Sequence, residues 1–157
     1  MDATEFEQML NQQEAWDNSP EGVRYNLHMF VDDMELEHII VHTVCQLPLD
    51  VQLFLYEWCR FAAVGIGIKG QVLPPSERWL ILLDAGIVAD FSKDDAMGIV
   101  AHEIAHAFLG HNQLDPTITA NVEIDAAALA QQWGFIGIGA DEKHARAVYQ
   151  QSLEPLK

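Results

Sequence analysis

The chain has 157 residues, half of them apolar, with 24 acids against 8 bases for a formal net charge of −16. That length and apolar share predict one globular domain over 1–157 with a core of its own, and the helices and short strands read below make it α+β. The bases form no cluster that could track phosphates, so nucleic acid is not an expected partner; cationic peptides or metal ions suit the acidic surface better.

No apolar run approaches the roughly 18 residues of a membrane span. The opening MDATEFEQML carries acids where a signal peptide carries bases, and the expected location is cytoplasmic. Cys45 and Cys59 make no C-x-x-C motif and read as reduced, buried thiols.

In chain order, residues 1–57 read as N-terminal helices. The first spans 3–16, with Phe6, Met9, Leu10 and Gln13 on one side, and ends at Asn18-Ser19-Pro20. A second helical stretch runs from about Glu21 to Val44 and breaks near Asp32-Asp33; its His28, His38 and His42 are taken as ordinary helix residues. Asp50 is the expected cap of a short helix reaching Glu57.

From Cys59 the residues become β-branched, aromatic and small, and 59–68 and 77–83 predict a hairpin whose long turn holds Pro74-Pro75. Gly65, Gly67 and Gly70 spell G-x-G-x-x-G, but prolines follow where a dinucleotide site needs a helix, so the glycines belong to a strand and its turn. The strand over 77–83, lying just before the next helix, offers a shelf on which an extended peptide could add as one more strand.

The informative stretch is Ser92 to His111, SKDDAMGIVAHEIAHAFLGH. Ser92 caps it, Asp94 and Asp95 suit the positive end of the helix dipole, and Gly110 sits where a helix stops, so a helix over about 93–109 is bounded at both ends. Met97, Val100, Ala101, Ile104 and Phe108 make an apolar stripe, which leaves His102 and His106 pointing the other way. Those two histidines flank Glu103 as H-E-x-x-H, a pattern expected by chance only about 0.02 times in a chain of this composition. Residues four apart on a helix share a face, so both imidazoles can reach one metal ion, and a neighbouring glutamate is then a natural base for water.

A helix capped by Asp115 and started by Pro116 follows, running to Trp133 with Gly134 as its stop. Glu123 lies on it with Thr119, Ala126, Ala127 and Ala130 on the same face, small residues that allow a close approach. Glu123 is therefore favoured as third ligand over Asp125 and His111. The metzincin pattern is not met, because it needs its Gly three and its His six positions past the second His, whereas Gly110 and His111 stand four and five beyond. A last helix over 141–153 carries His144, Arg146 and Tyr149, any of which could steady an oxyanion.

AGIVADFSKDDAMGIVAHEIAHAFLGH followed by VEIDAAALAQQWGF resembles the gluzincin zinc endopeptidases of the HtpX and CAAX-prenyl protease type over about 79–135. The resemblance implies a zincin-like fold, one zinc ion held by His102, His106 and Glu123, Glu103 as general base, and a peptide or protein substrate. Ala127 departs from it, standing where that family has an Asp that orients the first His, and no His-Pro segment follows near the end. A weaker resemblance, to the ImmA/IrrE type of regulatory peptidase, implies one protein target. The rival from another class is a zinc-containing module that binds a protein and cuts nothing.

Overall fold

The computed structural model describes residues 2–64, 70–73, 78–111 and 120–141, together with 143, 146 and 150. It is a mixed assembly of helices and a small sheet. The helices are α1 (Ala3–Asp17), α2 (Pro20–Asn26), α3 (Met34–Cys45), α4 (Leu49–Trp58), α5 (Gly86–Asp90), α6 (Lys93–Phe108) and α7 (Ala120–Gln132), with a 3₁₀ turn at Ile138–Ala140. The strands are β1 (Met29–Phe30), β2 (Cys59–Val64), β3 (Gly70–Leu73) and β4 (Trp79–Asp84).

Local chemistry sets most helix starts. The Asp2, Ser19, Asp33 and Ser92 side chains each accept a hydrogen bond from the backbone N–H three residues on, which satisfies one of the donors a helix start leaves open. Asp50 does not cap α4: Pro48 holds that position without a side-chain bond, and Asp50 lies inside the first turn. The expected face of α1 is uncovered, since none of its residues is buried and Phe6, Met9, Leu10 and Trp16 are all exposed.

The predicted second helix is two helices with a strand between them. Met29 and Phe30 pair in parallel with Phe61 and Ala62, and Phe61 N–H donates to the His28 carbonyl at 2.9 Å. A two-residue strand has no periodicity of its own, and it exists because a distant strand supplies its partners.

The expected hairpin between 59–68 and 77–83 does not form either. The sheet order is β1-β2-β4-β3, in which β2 and β4 run parallel, Cys59 opposite Trp79, and the antiparallel partner of β4 is β3. The chain passes β2, moves to the outer edge for β3, and returns as β4 in the gap. Since β4 is paired on both sides, it has no free edge for a peptide, and the shelf expected there is ruled out.

Phe61, Ile81 and Val72 stand opposite one another on neighbouring strands, all fully buried, and with Leu83 they belong to the hydrophobic core. Helix α6 packs against β3 and β4, and also against α3, α7 and the 3₁₀ turn. Consequently every residue from Ala96 to Ala107 is buried, not only the predicted stripe, while Phe108 at its end is partly exposed. Small residues permit this enclosure. A Cβ on Gly137 would lie 2.6 Å from the Asp94 carbonyl oxygen, so only glycine lets the segment before the 3₁₀ turn approach α6 so closely. Ile138 N–H then donates to Asp95 Oδ1 at 3.1 Å.

Of the expected last helix, Lys143, Arg146 and Gln150 are helical; His144, Tyr149 and the expected start of α7 at Asp115-Pro116 lie outside the described residues, as do Gly65 and Gly67. Among the described residues no helix is long and apolar enough to cross a membrane. Both cysteines are free, Cys59 buried and Cys45 partly so.

Candidate metal centre

Helix α6 supplies two side chains of the site from successive turns, and their rings meet edge to face with centroids 4.8 Å apart. Helix α7 supplies the third. Its inward face is Glu123, Ala126, Ala127 and Ala130, all buried, and three alanines in that row let a carboxylate reach the histidines of the neighbouring helix. Asp125 is exposed on another side of α7.

The three donor atoms converge. Glu123 Oε2 lies 2.9 Å from His102 Nε2 and 3.1 Å from His106 Nε2, and the two ring nitrogens are 3.1 Å apart. Donor atoms bound tetrahedrally to one ion at about 2.0–2.1 Å stand roughly 3.3 Å from each other, so the separations suit a single shared cation. The chemistry of the set agrees: two imidazole nitrogens and one carboxylate oxygen, all but inaccessible to water, could hold a metal ion.

Two nitrogens each presenting a lone pair to one another at that distance would repel. Each Nε2 stands within hydrogen-bond distance of Glu123 Oε2, so a proton on either nitrogen has the carboxylate as its acceptor. Burial works against the charge of Glu123, but the hydrogen bonds from His102 and His106 outweigh it and hold the carboxyl well below its ordinary range. For His106 burial is the largest influence and lowers its proton affinity, with the hydrogen bond to Glu123 opposing.

Glu103 is buried beside His102, and its Oε2 has no hydrogen-bond partner among the described residues. Burial first, then the charge of Glu123, pushes its proton affinity well above the ordinary carboxyl value. The second nitrogen of His102, Nδ1, is also buried without a partner among the described residues, and Ala127 offers it no acceptor. The second nitrogen of His106 does have a partner, His111 Nδ1 at 3.0 Å.

Three of the four expected residues, His102, His106 and Glu123, thus converge between two helices, and Glu103 is buried on the first of them. His111 stands on the far ring nitrogen of His106 and not among the converging atoms, and Asp125 does not join them. The arrangement can hold a divalent cation with three protein atoms and keep a carboxyl group close by. No protein-family model, curated protein or solved structure matches the chain.

Proposed function

We propose that the chain is a zinc-dependent endopeptidase of the gluzincin kind, with His102, His106 and Glu123 as zinc ligands and Glu103 as general base. The observation that supports this reading is the meeting of three donor atoms within 3.1 Å of one another, with the buried Glu103 carboxyl one residue along α6. A zinc ion held there supplies a Lewis acid that acidifies water and polarises a carbonyl.

The remaining steps belong to the side chains. Glu103 takes a proton from the attacking water as its oxygen bonds to the scissile carbon, and returns that proton to the amine as the C–N bond breaks.

The burial of all four side chains and a His102 Nδ1 without a partner among the described residues favour a second reading, a zinc-stabilised module that binds a protein and cuts nothing. One experiment separates the two. Purified protein is assayed for zinc and incubated with casein and a peptide library, with and without a chelator. A peptidase cuts, stops cutting when chelated, and as Glu103→Gln keeps its zinc without cutting. Zinc without cleavage leaves the module and a peptidase confined to one protein target, and cleavage by Glu103→Gln at the wild-type rate removes Glu103 from the role given to it.

A further inference from the structure

Helix α6 ends in a turn that the motif does not require. Gly110 has φ +72°, a left-handed conformation open to glycine. Its N–H donates to the Ala107 carbonyl at 3.0 Å, and the N–H of His111 donates back to the His106 carbonyl at 2.9 Å. These are the two bonds of a Schellman cap, which folds the residue after the glycine over the residue five before it. Here those residues are both histidines. The ring of His111 comes to rest against His106 with centroids 5.2 Å apart and the two Nδ1 atoms 3.0 Å apart.

We infer that His111 is a positioning residue for the metal centre, accepting at its Nδ1 the proton that His106 must carry on Nδ1 when its Nε2 lone pair is given to a metal ion. The step rests on the metal-site reading above. A neutral imidazole has one N–H and one lone pair, so using Nε2 as a ligand places the hydrogen on Nδ1. His111 Nδ1 stands within hydrogen-bond distance of that hydrogen, and to accept it must be lone-paired, with its own hydrogen on Nε2. Metal-bound histidines are generally held in this way by an acceptor on the other nitrogen, usually an oxygen, and loss of the acceptor typically costs about 10–100-fold in metal affinity. His102 has no such support among the described residues, so the orientation of the pair depends on His106 and on the glycine turn that delivers its partner.

The test uses the full chain, zinc ion as the probe, and competition against a chromogenic chelator. His111→Leu keeps bulk and loses the acceptor; His111→Asn and His111→Asp keep an acceptor oxygen on the γ carbon, where the Nδ1 of His111 stands. Expected is a loss of about 10–100-fold in zinc affinity for His111→Leu and recovery to within a few-fold of wild type for Asn and Asp. Unchanged affinity in His111→Leu overturns the inference, and so does equal loss in all three variants, which would mean that only the packing of the ring matters. If the wild type itself takes up no zinc, the metal-site reading fails and the inference with it. Nitrogen-15 NMR of the zinc-loaded wild type needs no variant: His106 protonated on Nδ1 and His111 on Nε2 is the expected pattern, and a proton on Nδ1 of His111 overturns the inference.

Discussion

Nε2 of His102 and Oε2 of Glu123 lie 2.9 Å apart although 21 residues separate them in the chain. Neither end of that contact gains by hydrophobic burial. Two helices with a complementary row of small residues have brought a ring nitrogen and a carboxylate out of water, in a set that could hold a metal ion.

Zinc should therefore stabilise the fold. At a free concentration 100 times the Kd, a single site contributes about 2.7 kcal/mol, and for a chain of this size that moves Tm up by roughly 5–10 °C. Differential scanning fluorimetry with and without chelator measures it. In His106→Ala the shift should vanish, and a shift of full size there would place the ion elsewhere.

Glu103 is costly to the metal-free protein. Its carboxyl is buried with Oε2 unpartnered among the described residues, so exchanging it for an uncharged amide of the same shape should raise the melting temperature of the chelated protein. Glu103→Gln melting below the wild type would show that the carboxyl is supported by bonds to residues beyond those described.

Two acids outside the candidate site resist ionisation. Burial lifts the Cys59 thiol from 9.0 to about 12. Burial, then Cys45 and Asp17, lift the Tyr56 phenol from 10.0 to about 12. In each case the folded form keeps a proton that the unfolded chain releases. The stability they contribute is complete below about pH 9 and is lost as pH rises toward 12. Urea midpoints measured from pH 8 to 12 should fall across that window, and Tyr56→Phe should flatten the decline above pH 10.

At Gly137 the segment before the 3₁₀ turn lies tight against α6. In Gly137→Ala the new methyl meets the backbone at Asp94 and Asp95, which cannot swing aside, and a loss of about 1–3 kcal/mol is expected from denaturant unfolding. Wild-type stability would mean that the 3₁₀ turn can move away from α6.

Gly110 presents the opposite case, since a Cβ there would meet no atom within 4 Å. Gly110→Ala is then opposed only by backbone conformation and should cost about 1 kcal/mol, Gly110→Asn less, because asparagine tolerates the left-handed region. Denaturant midpoints of the two variants should fall in that order.

How far the residues alone announced all this differs from element to element. Ser92, Asp94, Asp95 and Gly110 bound α6 in sequence and do so in space, because capping and the left-handed stop act within a few neighbours. The spacing of His102, Glu103 and His106 likewise follows from helical periodicity, and the alanine face of α7 pointed to Glu123 over Asp125. Even His111 carried a readable signal: a glycine placed to stop a helix returns the next residue to the one five before it.

The sheet was not legible in this way. β1 is two residues long, β3 lay within what read as a turn, and the insertion of β4 between β2 and β3 depends on pairing between segments with no local mark of their partners. Nor did the stripe of α6 reveal that its histidine side would be enclosed, since a helix's own periodicity carries no information about how many neighbours surround it. Short-range chemistry decided the helix ends and the spacing of the ligands, whereas the meeting of those ligands, the register of the strands and the dryness of the site came from contacts between distant parts of the chain.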